Sequence, residues 1–148
     1  MVDYATTTSQ VIDQIVHAAK NMSMKQLIAA LFIVPGLINF APILGALSNE
    51  HLAKLYLVDN LNPDVALLLR HRALLFGIVG AFIVYSAFQP HLRPYATIAG
   101  LVSMVSFVIL VFALNTSNPS LIKVAWIDVG AIIILVVGSL LHFRCNTQ

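Results

Sequence analysis

Four long apolar stretches, separated by short polar segments, dominate the pattern of hydrophobic and polar positions along the chain. They run from Leu27 to Ala46, from Pro63 to Phe88, from Tyr95 to about Leu114 and from Pro119 to Phe143. About 20 apolar residues in a helix are enough to cross the hydrocarbon core of a bilayer. The pattern therefore predicts four membrane-spanning helices. The short connections between them favour an all-α, antiparallel four-helix bundle.

Capping residues mark where several of these helices begin. Ser23 followed by Gln26 fits a capping box before the first helix. Asn62-Pro63 and Asn118-Pro119 each place a capping residue before a proline, which is favoured at the first helical position. The second and fourth spans are therefore expected to begin in the same way and to run in the same direction across the membrane.

The first 23 residues have a different pattern. Between Ser9 and Met22, apolar residues recur at helical spacing with polar residues between them. This predicts a short amphipathic helix that lies on the membrane surface or packs against a partner protein. A similar connecting helix is predicted from Ser48 to Val58. The chain is thus divided into an N-terminal tail with a surface helix, residues 1–23, and a transmembrane domain, residues 24–148.

The composition favours a membrane protein over a soluble one. Hydrophobic residues make up 59% of the 148 residues and charged residues only 9%. A soluble domain carries about 25% charged residues, so this chain has too few to cover a soluble surface. The net charge of +2 argues against binding of nucleic acid. Cys145 is the single cysteine, which excludes an internal disulfide.

The basic residues outside the spans predict the orientation. Lys20, Lys25, Arg93 and Arg144 lie on one side, and Lys54 and Lys123 lie on the other once the embedded Arg70 and Arg72 are set aside. Cytoplasmic loops carry an excess of lysine and arginine, so both termini are expected in the cytoplasm. Counting the two embedded arginines would make the two sides equal.

Charged residues interrupt two of the predicted spans. Arg70-His71-Arg72 lies in the second span and Asp128 in the fourth. Arg72 and Asp128 each follow by nine residues the proline that begins their helix, which predicts similar depths. An ionised side chain at mid-bilayer costs about 2.5–3.5 kcal/mol, so such groups face inward and pair. We expect Asp128 to form paired hydrogen bonds with Arg70 or Arg72.

A candidate polar layer follows from these depths. Its predicted members are Asn39, Arg70, His71, Arg72, Ser106, Trp126 and Asp128. Such a layer fits an ion pair that fixes helix register, a ligand site, or a path for protons or ions. His71 is of a type that can change charge near neutral pH, although a hydrogen-bonding role is commoner. Trp126 is expected to act as an interfacial anchor.

Other kinds of site find little support in the sequence. The five histidines are dispersed, and none is three or four residues from another, so no metal site is expected. The chain has no Gly-rich phosphate loop and no serine on a nucleophile elbow. The sequence identifies no cofactor.

From Arg70 through Gly77, and again at Trp126-Ile127-Asp128, the chain resembles small bacterial four-span proteins of the DoxX-like group. The resemblance covers about residues 24–143 and implies a four-helix bundle in the bacterial inner membrane. Some members are subunits of quinone-linked sulfur oxidoreductases, which implies a possible accessory subunit of a redox complex. The bundle is also similar to sterol-isomerase and sigma-2-receptor type proteins, which hold an apolar ligand, but their acidic catalytic pair is not evident.

The leading interpretation is a non-enzymatic membrane protein that binds an apolar molecule (a lipid, a quinone or a sterol-like compound) or a membrane partner. One alternative is an enzyme that acts on a lipid-soluble substrate, with His71 and Asp128 as proton donor and acceptor. Another is a structural subunit of a homo-oligomer or of a redox complex. The sequence does not distinguish whether a reaction is catalysed.

Overall fold

The computed structural model describes residues 23–45 and 62–146. Within these two ranges the chain forms helices and no β-strand. The helices are α1 (Met24–Phe40), α2 (Pro42–Gly45), α3 (Pro63–Phe88), α4 (Arg93–Ala113) and α5 (Pro119–Asn146), and a 3-10 turn, Pro90–Leu92, precedes α4. The amphipathic helices predicted before Ser23 and between Ser48 and Val58 lie outside the described residues.

Three described segments are long and apolar enough to cross a membrane, as judged by length and composition. They are Pro63–Phe88, Pro90–Ala113 and Pro119–Cys145. The second, third and fourth predicted spans correspond to these segments to within a few residues at each end. The chain is therefore an all-helical protein with three candidate membrane spans in its described part.

The first apolar stretch differs from the single helix predicted from Leu27 to Ala46. Helix α1 has 17 residues and ends at Phe40, and α2 begins at Pro42. Proline has no backbone N–H, so Pro42 cannot donate to the Ile38 carbonyl as the next residue of a continuous helix would. The N–H of Ala41 lies 3.3 Å from that carbonyl oxygen and 3.0 Å from the oxygen of Leu37. The first stretch is therefore a shorter helix followed by one further turn.

The predicted helix starts are confirmed at three places. Ser23 Oγ accepts from the Gln26 N–H at 3.4 Å, and Gln26 Oε1 accepts from the Ser23 N–H at 2.9 Å, which is the predicted capping box. Asn62 Oδ1 caps α3 by accepting from the N–H two residues on, at 3.0 Å. Asn118 Oδ1 does the same for α5 at 2.9 Å.

Each long helix packs mainly against two others. Helices α3 and α5 both contact α1, and both also contact α4, so the four helices close around a shared core. The largest cluster of buried residues in the described ranges consists of Ile28, Phe32, Ile83, Ala87, Ala96, Met104, Ala131 and Leu135. A smaller cluster, Phe107, Val111 and Ala125, lies toward the connection between α4 and α5.

Helices α1 and α3 approach each other closely at two glycines. A Cβ added to Gly80 would lie 2.5 Å from the backbone N of Phe40 and 2.6 Å from the carbonyl oxygen of Gly36, so no larger residue fits without backbone movement. Gly36 lies against Val84, Gly80 against Phe40 and Gly77 against Ile43. Residue numbers thus rise along α1 and α2 as they fall along α3. A Cβ added to Gly77 would lie 2.6 Å from Cδ1 of Ile43, so Gly77 packs against a side chain of α2, whereas Gly80 packs against the backbone of α1.

Candidate functional site

A groove of about 550 Å³ lies between α3, α4 and the first turn of α5, beside the connection between α4 and α5. Its walls are mostly apolar. The residues that line it are Arg72 and Phe76 of α3, Ser106, Phe107, Leu110 and Val111 of α4, Leu114 and Thr116 of the connection, and Leu121 of α5. Small-molecule sites commonly measure about 300–1,000 Å³ and are lined mainly by apolar side chains. In size and lining, the groove is suited to a small apolar molecule.

Arg72 brings a positive charge to the wall of this groove. Its guanidinium carbon lies 4.4 Å from the ring centroid of Phe107 and 5.0 Å from that of Phe76. The two rings meet edge to face, with centroids 6.4 Å apart. A cation over an aromatic ring is stabilised by about 0.5–2 kcal/mol, depending on its exposure to water. The two rings therefore hold the Arg72 side chain in place at the groove.

Asp128 lies on the buried side of α5, one turn from the fully buried Ala125. The charge of Arg72 acts on the Asp128 carboxylate, whereas Asp128 does not line the groove. Asp128 is thus related electrostatically to Arg72, the arginine that the sequence predicts to lie at the same depth in the membrane. The paired hydrogen bonds expected between the two side chains stay a prediction.

The groove brings together two of the seven predicted layer residues, Arg72 and Ser106. The Ser106 hydroxyl donates to the Ser103 carbonyl oxygen at 3.0 Å, so its oxygen remains an acceptor toward the groove. Asn39 is buried on α1, 5% exposed, and is not among the residues that line the groove.

The other three predicted residues differ in their exposure. His71 is exposed and Arg70 is partly exposed. Trp126 is 63% exposed, and its ring meets that of Phe112 edge to face at 6.2 Å. None of the three lines the groove. The exposed ring of Trp126 is compatible with the interfacial role expected from the sequence.

Arg93 forms a second polar centre that the sequence pattern does not predict, since that pattern places Arg93 among the basic residues outside the spans. Arg93 begins α4 and is only 7% exposed. Its Nη2 donates to the Ala87 carbonyl oxygen at 2.8 Å, and its Nε donates to that of Ser86 at 3.4 Å. These carbonyls belong to the last turn of α3, where helical N–H donors run out. The Ser86 carbonyl oxygen also accepts from the N–H of Gln89 at 3.2 Å. Arg93 therefore caps the end of the preceding helix.

His142 of α5 and Phe32 of α1 complete this centre. Nη1 of Arg93 lies 3.3 Å from Nδ1 of His142, and the Phe32 ring centroid lies 5.6 Å from the guanidinium carbon. Because arginine only donates hydrogen bonds, Nδ1 is the acceptor, and a neutral His142 carries its proton on Nε2. The centre joins all four long helices near one end of the structure. Its one sequence signal is the tight turn that begins at Pro90, which brings Arg93 back against α3.

The fold and the groove define the class of protein. It is an all-helical chain with candidate membrane spans and a mostly apolar groove that contains one arginine. Comparison of the chain with protein-family models, with curated proteins and with solved structures finds no match. The groove and its residues are therefore the best indication of function in this chain.

Proposed function

We propose that the chain is an antiparallel four-span membrane protein of the DoxX-like kind that binds an apolar molecule in the groove between α3 and α4. The molecule is a lipid, a quinone or a sterol-like compound. The single observation that supports this best is a groove of about 550 Å³ whose lining is largely apolar. In a membrane, such a groove would be filled by a hydrophobic molecule rather than by water.

The arrangement of the helices supports the membrane placement. The opposed numbering along α1 and α3 is that of an antiparallel pair. Helix α1 has 17 residues and is about 26 Å long at 1.5 Å per residue. With the extra turn of α2, the helical segment of residues 24–45 approaches the hydrocarbon thickness of about 30 Å. We place the protein in the bacterial inner membrane, with both termini in the cytoplasm, from the basic residues and the DoxX-like resemblance.

The enzymatic alternative receives less support from the described residues. His71 is exposed and Asp128 is buried, and neither lines the groove. A proton donor and acceptor for one substrate need to reach the same bound molecule. Binding without chemistry is therefore the proposal that the groove favours.

A groove-filling substitution tests the proposal. Leu110→Trp places a large ring in the groove, and Val102→Trp is the matched control, because Val102 is also exposed on α4 but does not line the groove. The full chain is extracted gently, and native mass spectrometry records bound lipid or quinone on each variant. We expect bound molecules on the wild type and on Val102→Trp and their loss from Leu110→Trp. Equal retention on both variants, at equal thermal stability, would overturn the proposal.

A further inference from the structure

The charge on the groove wall restricts what the groove can bind. Among the described residues that line it, Arg72 is the one with a charged side chain. The remaining lining is apolar apart from the hydroxyls of Ser106 and Thr116. A cation that faces an apolar, water-poor space is stabilised most by an anion in the same space. The charge pattern is therefore that of a site for a molecule with one anionic group and one apolar part.

We propose that the groove binds an anionic amphiphile, a single hydrocarbon chain with a carboxylate or phosphate head, and that Arg72 binds the head. This inference rests on the proposed function and names the ligand class within it. It separates the ligand from a neutral quinone or sterol, neither of which carries a charge to match Arg72. The shared chemistry is an oxyanion on an alkyl chain.

Arg72 is preorganised for this role. Contact with the rings of Phe76 and Phe107 fixes the position of its guanidinium at the groove wall. A guanidinium carries its N–H donors in one plane, in a geometry that matches two oxygens of a carboxylate or phosphate. A side chain that is already held in place loses less rotational freedom when the ligand binds. The two phenylalanines therefore act as positioning residues for the head group.

The rest of the groove provides the apolar wall and a further donor. Leu110, Val111 and Leu114 offer aliphatic surface for the hydrocarbon chain. The Thr116 Oγ1 accepts the N–H of Asn118 at 3.4 Å, so the hydroxyl proton of Thr116 is available to an oxygen in the groove. The groove thus pairs a polar part with an apolar part, as an amphiphile does.

Asp128 competes with such a ligand for the same charge. The positive charge of Arg72 acts on the Asp128 carboxylate, and an anionic head in the groove would act on the same guanidinium. Removal of the carboxylate charge by Asp128→Asn should therefore strengthen the binding of an anionic amphiphile. It should leave the binding of a neutral molecule of the same length unchanged. The difference between these two responses distinguishes binding of a charged head from apolar contact alone.

The test compares probes that share one hydrocarbon chain. Oleate and oleyl alcohol differ in the charged head, and 1-oleoyl lysophosphatidate replaces the carboxylate with a phosphate. Each is titrated, below its micellar concentration, into the full chain in a neutral detergent, and native mass spectrometry measures the bound fraction. We expect the wild type to bind oleate about tenfold more tightly than oleyl alcohol, a difference that one well-placed charged contact supplies. The phosphate probe distinguishes a lipid-type head from a free fatty acid, and tighter binding of either supports the proposal.

Substitutions assign the preference to Arg72. Arg72→Gln should abolish the preference for oleate, and Arg72→Lys should retain part of it. Arg70→Gln is the matched control, because it removes an equal charge two residues away that does not line the groove. Asp128→Asn should increase oleate binding severalfold. If Arg72→Gln does not fold, Arg72→Lys and Asp128→Asn carry the same test.

The failures of the two proposals are distinguishable. Equal binding of oleate and oleyl alcohol by the wild type, with both lost from Leu110→Trp, would overturn the anionic ligand and leave the apolar site standing. A preference for oleate that survives in Arg72→Gln would overturn the role of Arg72. Binding of both probes that is unchanged in Leu110→Trp would overturn the site itself.

Discussion

Two arginines in this protein occupy contrasting surroundings. Arg93 is buried, donates to two backbone carbonyls and contacts His142, so its surroundings are closed by the protein itself. Arg72 lies between two phenylalanine rings at the edge of a groove of about 550 Å³. Both arginines lie beside aromatic rings in apolar helices. Arg93 joins helices, whereas Arg72 lines the groove. The surroundings of an embedded arginine, and not its presence, indicate whether it stabilises or binds.

The difference has an energetic basis. A buried polar group is costly unless it is hydrogen-bonded, and Arg93 donates to two carbonyl oxygens at the end of α3, where helical N–H donors run out. The fold therefore depends on Arg93. The guanidinium of Arg72 contacts two aromatic rings, and such contacts contribute less to stability than hydrogen bonds to buried carbonyls. The groove lies beside it. Substitutions at the two positions should separate stability from binding.

The largest effect is expected from Arg93→Ala. It removes both hydrogen bonds to the end of α3, and the Ala87 carbonyl oxygen loses its donor, at about 1–3 kcal/mol for an unsatisfied group. The Ser86 carbonyl oxygen keeps the N–H of Gln89. We expect a loss of roughly 3 kcal/mol in the free energy of unfolding. Denaturation in mixed micelles measures it, with Arg144→Ala as the control, since Arg144 is exposed at the end of α5. If Arg93→Ala and Arg144→Ala lost similar stability, the buried Arg93 would matter no more to the fold than an exposed arginine. The contrast with Arg72 would then fail.

A smaller loss is expected from Gly80→Ala, which tests the tight packing of α1 on α3. The new Cβ would lie within 3 Å of backbone atoms of Phe40 and Gly36, so the helices must separate. Overpacking of this kind costs about 1–3 kcal/mol. Gly130→Ala is the control, because a Cβ there meets nothing within 4 Å and alanine favours a helix. Stability that rises in both variants would show that the helices do not meet at Gly80.

The smallest change in stability is expected from Arg72→Gln. It removes the contacts of the guanidinium with two aromatic rings, so we expect a loss of about 1 kcal/mol. The same unfolding measurement applies, with Arg93→Gln as the comparison. A loss as large as that of Arg93→Gln would make Arg72 a structural residue and weaken its assignment to a ligand.

The sequence predicts local features of this fold better than distant ones. The caps at Ser23, Asn62 and Asn118 follow from residues within three positions of one another, and the structure confirms them. Three long apolar stretches likewise become helices of sufficient length for a span. Pro42 also carries a local signal, but the long apolar run around it favoured one continuous helix. Local chemistry ended that helix at Phe40.

The two arginine sites show why tertiary features escape such reasoning. Burial of Arg93 depends on a tight turn that folds it back onto α3 and on His142, far away in the sequence. Phe76 and Phe107 of the groove wall meet across two helices, and no periodicity in either helix encodes that meeting. Arg72 and Ser106 could be proposed from the sequence because the number of residues from a helix end predicts the depth of a side chain in the membrane.

The groove has one consequence for the rate at which its contents exchange. Its wall includes strongly exposed residues, with Leu110 at 55% and Leu114 at 75%, so it faces outward rather than into the sealed centre of the four helices. In a membrane, a molecule bound there would enter and leave laterally, through the surrounding lipid, while the described helices stay packed. The exchange rate would then follow the local concentration of the bound molecule and its own lateral diffusion.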